Sequence, residues 1–517
     1  MKIFNNYRRN IALGLLAITA VSINSGCQKF LDTQRQGEYT ADDYPYPQGS
    51  TPYDTFLFSA YSALRAYNYV SDGFMVVTSI RSDDADKGST ASDGGADVIA
   101  MDNFPALTNG RVNTLWTEYY TMINRCNTII DQIYNNSEIV ANEQQKIQAE
   151  AEARFLRGYS YFFLVRAFGR IPKIDKVLSV TSNIPQSSPE EIYAFIEDDL
   201  QFAAANLPLN WPSKFIGRPT KGSANGILAK AYLYQKKWGM AMSVASQVMN
   251  SGQYDLSVSY DDIFSEKGEN SKESVFEIQA TASATVQTAN GVQYASVQGT
   301  RGSTTEWNRG WGWNSPSAAL EAAYEPNDPR KARTILYSSI AGKDNFTVYG
   351  QKAPFYPTEV PNLKYNHKVL ANPTYIAAYN SRSGWWMNVR ILRYADVVLM
   401  FAEAANEVGG AGNIKLALDA LNSVRARARK TATVAGTLPN INTTDQGILR
   451  NAIRQERRIE LAMEHERFFD IVRWGIDAEA MQAAGKTSYN PNRDRLLPIP
   501  QQQIDLSKGV LTPNPGY

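Results

Sequence analysis

A mainly α-helical protein of stacked helix pairs, interrupted by one large loop-rich insertion with short strands, is what the sequence predicts. Three observations predict it. Apolar and small residues recur at helical spacing through residues 54–255 and again through 392–475. Between these stretches, residues 256–391 are dominated by Ser, Thr, Asn, Gly and Pro, and the helical period is mostly lost. Residues 447–475 contain no proline and are dense in charge, which places Arg450, Arg454 and Arg458 in one row of a helix and Glu456, Glu460 and Glu464 in another.

Like charges four apart destabilise an isolated helix by a few tenths of a kcal/mol per pair, and within 447–475 only cross-links such as Arg457 with Glu460 or Glu464 with Arg467 offset them. The two rows therefore require partners from elsewhere, and a buried, ion-paired helix is expected. Glu403 and Glu407 on one neighbouring helix and Arg425, Arg427 and Arg429 on the next are the candidates.

In chain order, the opening residues come first. Lys2, Arg8 and Arg9 precede an apolar run from Ile11 to Ile23 and the junction Asn24-Ser25-Gly26-Cys27. This reads as a signal peptide over 1–26, with Cys27 as the lipidated first residue of the mature chain; the rival reading is an ordinary signal cut elsewhere. The run is shorter than the roughly 20 apolar residues of a membrane-spanning helix. Residues 27–53 then read as anchor and tether, without period.

Phe56, Ala60, Ala63, Leu64 and Tyr67 form the first helical stripe, and Leu115, Tyr119, Met122, Ile123, Ile129 and Ile130 the second. The loop between them, 81–110, is too long for a plain connection. Over 147–168, Ile147, Ala151, Phe155, Gly158, Phe162 and Val165 share a face, with Gly158 leaving room for a close neighbour. Ser188-Pro189-Glu190-Glu191 is a capping box opening the next helix. Residues 220–252 form a helix pair turning at Lys236-Lys237-Trp238, and a second pair follows with Leu392 to Asn406, a turn at Gly409–Gly412, and Ala417 to Val424. The spacing of these pairs resembles the tetratricopeptide repeat. Within the insertion, Glu273 to Gln279 reads as a short strand.

Composition narrows the function. The 517 residues are 43% hydrophobic and 20% charged, and 52 basic against 51 acidic side chains leave no basic footprint for nucleic acid. Two cysteines and two histidines are too few for a zinc cage or a redox pair, so neither metal nor cofactor is expected. With Cys27 lipidated, Cys126 has no partner for an intramolecular disulfide.

Loops on a helical scaffold are where binding residues concentrate. In the insertion, Trp307, Trp311 and Trp313 stand among glycines with Asn308, Asn314, Arg301 and Arg309 beside them. Flat indole faces next to hydrogen-bonding groups suit a sugar, whose ring has a C–H face to stack and hydroxyls at its rim. The same tryptophans could equally anchor their loops to the core, and that structural reading is preferred for Trp385 and Trp386. The loop Arg81-Ser82-Asp83-Asp84-Ala85-Asp86-Lys87-Gly88 offers carboxylates but lacks EF-hand spacing, and reads as a solvated acidic loop. Neither GxSxG, HExxH nor a P-loop occurs, and no carboxylate pair stands out for glycoside hydrolysis.

Several blocks together resemble the SusD/RagB family of surface lipoproteins in Gram-negative nutrient uptake: AEARFLRGYSYFFLVRAFGRIP (151–172), GRPTKGSANGILAKAYLY (217–234), RYADVVLMFAEAANEVG (393–409), LNSVRARA (421–428), IRQERRIELAMEHERFFDIVRWG (453–475), PIPQQQID (498–505) and NPGY (514–517). The resemblance implies one domain over 54–517, with a tetratricopeptide-like scaffold, the insertion 256–391 and a C-terminal tail 476–517. It further implies a non-catalytic glycan receptor, lipid-anchored and facing outward at the outer membrane, and a SusC-like TonB-dependent transporter as partner. Family sites are built from loops near 80–110 and in the insertion, which points to Trp307, Trp311, Trp313 and Asn308 with Arg81 and Asp86. RagB-like members take peptides, so a peptide receptor is the first alternative and a glycoside hydrolase the second.

Overall fold

The computed structural model describes residues 44–105, 110–179, 183–282, 291–304, 306–340, 346–380 and 383–517. The signal peptide, Cys27 and most of the tether lie outside the described residues. The chain divides into 1–47 and 48–517. Of the first unit only Tyr44–Pro47 is described, with Tyr44 and Tyr46 meeting edge to face at 4.7 Å.

In the second unit the helices stack in chain order. α1 (Asp54–Leu64) and α2 (Gly110–Asn135) pack on α3 (Glu143–Phe168), α3 on α4 (Pro189–Asn206), α4 on α5 (Lys221–Tyr234), and α5 on α6 (Trp238–Met249). α6 then packs on α7 (Tyr394–Val408), which carries α8 (Ala411–Arg429) and α9 (Gln446–Glu460); α10 (Arg467–Trp474) follows. This is the tetratricopeptide-like scaffold expected, with the insertion looped out between α6 and α7. The insertion's two ends are joined by an antiparallel ladder of β2 (Ser274–Ile278) with β4 (Val389–Arg393), while β1 (Ala85–Gly88) pairs with β3 (Trp313–Pro316) inside the loop region.

Local chemistry sets the helix starts. At α4, Ser188 and Glu191 form the anticipated capping box with Pro189 in the first turn. A second box, Asn142 with Gln145, starts α3 at Glu143, earlier than apolar spacing indicated, and Ile147 on its first turns is 39% exposed instead of facing the core. Leu392 belongs to β4, so the helix expected from 392 begins at Tyr394.

Gly158 is packed as its neighbours require. A Cβ there would lie 3.2 Å from Leu200 Cγ and 3.3 Å from Asp199 Cβ, and Asp199 holds Arg157 at 2.7 Å. Gly158→Val is therefore expected to lower stability by about 1–3 kcal/mol through overpacking, read as a reduced denaturant midpoint; an unchanged midpoint would refute the tight α3–α4 contact.

The segment 447–475 is not one helix. Leu461–Glu466 separate α9 from α10, with Met463 and His465 at φ 64° and 71°, a left-handed conformation costly for side-chain-bearing residues. Buried interactions offset that cost. His465 lies between the hydroxyls of Thr78 (2.9 Å) and Tyr294 (2.6 Å), and burial pushes its ring down to about 3, keeping it neutral. Glu464 meets Arg393 and Lys368, both at 2.6 Å.

The two expected cross-links, Arg457 with Glu460 and Glu464 with Arg467, do not form; apart from Asp470, which takes Arg457 and Arg473, the partners come from other elements. Arg450 takes Glu407 at 2.5 Å, Arg473 takes Glu403 at 2.6 Å, Arg425 meets Glu456 at 3.1 Å, and Arg427 pairs with Glu460. Arg457 reaches Asp396 (2.7 Å) and Asp470 (3.2 Å). Arg429 instead donates to the Leu438 carbonyl and the Asn440 side chain. A buried, ion-paired ladder is thus observed, in two pieces.

Candidate functional site

The loop at 81–88 faces the protein instead of water. Asp83 and Asp84 are 2% and 1% exposed, because two guanidiniums from the C-terminal segment close on them: Arg467 holds both oxygens of Asp83 at 2.8 and 2.7 Å, and Arg458 holds Asp84 at 2.6 Å. Charge neutralised at hydrogen-bond distance is what allows carboxylates to be buried. Arg81 is likewise enclosed, 1% exposed between the rings of Phe104 and Phe468, and donates to the Asp494 carbonyl. The guanidinium is withdrawn from any ligand at the surface.

Clamped in this way, the chain runs into β1, whose residues Asp86 and Gly88 sit opposite Ser315 and Trp313 of β3. Gly88 has φ 71°, and a Cβ on it would lie 2.4 Å from the Gly312 carbonyl oxygen, so a side chain here would break the junction. Two loops far apart in sequence thereby share one small ladder. Asp86 is exposed on it.

The three tryptophans separate in role. Trp307 is 3% exposed among Leu336, Val348, Val360 and Tyr365, and its Nε1 donates to the Lys352 carbonyl at 2.9 Å. It anchors its loop. Trp313 is 5% exposed beneath the Arg111 guanidinium, 5.5 Å away. Trp311 is 39% exposed, edge-on to Trp313 at 5.4 Å and to Tyr67 at 6.0 Å. Backbone bonds hold it: Trp311 N–H donates to the Ser296 carbonyl at 2.9 Å and Gly312 N–H to Gly299 at 2.8 Å. Asn308 is exposed next to the anchor Trp307. Trp386 is buried, as the structural reading of it required.

The surface that results carries half-buried Tyr67, exposed Trp311 and a rim of charge. Arg111 pairs with Asp72 at 2.8 Å and meets Asp97 at 3.7 Å, and Arg301 pairs with Asp93, which also accepts from Ser89. Each carboxylate of this rim is engaged by an arginine. Tyr67 and Arg111 were not singled out from the sequence, where Tyr67 counts as the last apolar residue of a stripe. Among the described residues no His, Cys, Asp and Glu cluster is arranged for a metal ion, and no helix is long and apolar enough to cross a membrane.

Comparison with known proteins bears on this geometry. The family model described as "SusD family" matches residues 272–517, and that described as "Starch-binding associating with outer membrane" matches 60–233. SusD-like protein P2 of Formosa agariphila is 31% identical over 426 residues, which span 79% of this chain and 81% of that protein. The chain belongs to the SusD family. Among solved structures, a laminarin-binding SusD-like protein is 26% identical with a TM-score of 0.74, over 92% of this chain and 100% of the other. Surface glycan-binding protein A of Bacteroides thetaiotaomicron, solved with laminarihexaose, is 24% identical and shares the SusD fold at a TM-score of 0.74, over 89% and 98% of the two chains.

Proposed function

We propose that this SusD-family protein captures an oligosaccharide at the cell surface, with Trp311 and Tyr67 stacking on sugar rings and the Arg111, Arg301 and Asp86 side chains meeting hydroxyls. The observation carrying this reading is a tryptophan left 39% exposed while its neighbours Trp307 and Trp313 are buried. An exposed indole fixed by its own backbone is preorganised for stacking and loses little freedom on binding. Trp313 acts from beneath, as the ring against which Trp311 rests, and Asn308 lies farther along the same loop as a flanking hydrogen-bonder. Laminarin, bound by one structural neighbour, and starch, in the description of one matching family, are the first glycans to test.

The test is calorimetry of protein lacking residues 1–27 against a panel of starch and laminarin oligosaccharides. Binding with no release of reducing ends is expected. A blank glycan panel with peptides binding would replace this reading by that of a peptide receptor, and released reducing ends would replace it by that of a hydrolase.

Delivery to a SusC-like TonB-dependent transporter and anchoring through acylated Cys27 complete the proposal, on the strength of the motif Asn24-Ser25-Gly26-Cys27 and the family's outer-membrane description. Cys27→Ser is expected to move the protein out of the membrane fraction. Retention there would contradict the anchor.

A further inference from the structure

A second aromatic face lies in the same insertion. The short helix Pro373–Tyr379, opened by Asn372 accepting from the Thr374 N–H, has no fully buried residue. Its Tyr375 and Tyr379 lie one turn apart with rings 6.2 Å from each other and 15° from parallel. Trp386 lies within 27° of both, at 6.2 Å from Tyr375 and 5.2 Å from Tyr379. Its Nε1 donates to Glu266 at 3.0 Å, so this indole is fixed and the tyrosines rest on it.

Tyr375 forms one wall of a cavity of about 710 Å³, a size that suits a small oligosaccharide, and no residue of the Trp311 surface lines it. The other walls are polar in a particular way. His367 shares the cavity; its Nδ1 lies 2.7 Å from the Ala332 carbonyl, which can only accept, so Nδ1 carries the proton and Nε2 is left as an acceptor. Arg333, 6% exposed, donates to the Tyr349 hydroxyl at 3.1 Å and to the Phe264 carbonyl at 2.5 Å, and its Nε has no partner. No carboxylate pairs with it among the described residues, in contrast to Arg330, Arg393 and Arg427.

Lys267 and Arg333 line the same space as Asp261, Asp262 and Glu266. Charges of both signs nearly cancel there, which disfavours a polyanion. Donors and acceptors together beside an aromatic wall match a pyranose, whose hydroxyls both give and take hydrogen bonds. We propose that the cavity walled by Tyr375 and backed by Tyr379 and Trp386 is a second binding site for a neutral oligosaccharide, separate from the Trp311 surface. The proposal rests on the reading of this chain as a glycan receptor.

The experiment measures stoichiometry by calorimetry with maltohexaose and laminarihexaose, on the protein lacking residues 1–27, with folding of each variant checked by thermal melt. Two sugars per chain are expected for the wild type and one for Trp311→Ala. In Trp311→Ala the remaining site should weaken at least tenfold on adding Tyr375→Ala but persist with Tyr375→Phe. Hydrogen exchange of Trp311→Ala provides a readout independent of Tyr375, with sugar-dependent protection expected over 261–267 and 372–379. One sugar per chain, lost entirely in Trp311→Ala, would overturn the second site and leave the glycan receptor standing. No binding of either sugar to the wild type, with peptides binding instead, would overturn both. A residual site that takes only uronate-bearing oligosaccharides would overturn the neutral class.

Discussion

Glu460→Ala is expected to destabilise the protein by about 3–5 kcal/mol, the cost of leaving buried charge without its partner. Glu460 is fully buried, and three guanidiniums converge on it: Arg393 at 3.0 Å, Arg330 at 3.2 Å and Arg427. Burial alone would raise its carboxyl, but Arg427, Arg393 and Arg330 more than reverse that and hold it well below the usual carboxylate range. A loss of this size is a large fraction of a typical domain's stability. Glu407→Ala is the control, since its partner Arg450 is 31% exposed and the pair is worth less than about 1 kcal/mol. Denaturant midpoints of the two variants check the contrast, and equal losses would refute it.

The same depression fixes the sign of a pH dependence. A carboxylate whose folded value lies below its unfolded one adds stability at neutral pH, and that contribution drains away as pH falls below about 4.5. Glu403, lowered by Arg473 against the pull of burial, acts in the same direction. Acid therefore loosens the C-terminal ladder, and the wild-type midpoint should fall more steeply below this pH than that of Glu460→Ala.

Trp311→Ala is expected to weaken glycan binding at its own surface by about a hundredfold or more, roughly 2.7 kcal/mol, enough to remove that site from the calorimetric count, while leaving the denaturant midpoint nearly unchanged. The indole is exposed and supports only the edges of Trp313 and Tyr67, so its removal costs the ligand more than the fold. Trp307→Ala inverts the pattern. Removing a side chain buried among Leu336, Val348 and Tyr365 should cost about 3–5 kcal/mol of stability. If both variants lost affinity without losing stability, the assignment of Trp307 as an anchor would be wrong.

The scaffold was legible because helix periodicity and capping boxes are local. Ser188 with Glu191 states a helix start within four residues, and the stripe from Ala151 to Val165 states its buried face. What local pattern could not state was the break after Glu460. No glycine or proline marks it; of its two left-handed residues, His465 is held by Thr78 and Tyr294, contacts 387 and 171 residues away along the chain. Burial of Asp83 and Asp84 was hidden for the same reason, because an acidic loop reads as solvated until Arg458 and Arg467 are placed against it. Within the aromatic cluster, spacing drew three tryptophans together, yet only Trp311 faces solvent. Which ring is platform and which is anchor depends on packing against Leu336 and Val348, residues no motif ties to them.

The clamps on Asp83 and Asp84 also dictate an order of assembly. They join residues 384 and 374 positions apart, so the loop leading into β1 is secured only after nearly the whole chain has emerged. Until α9 and α10 dock, two carboxylates and the strand opposite Trp313 lack their restraints, and the incomplete protein lacks the finished surface proposed to bind glycan. Refolding monitored at Trp311 should accordingly trail the burial of α3–α5, whose contacts are close in sequence. If the proposed site is correct, glycan-binding competence comes last, as a report that the rest of the molecule is already in place.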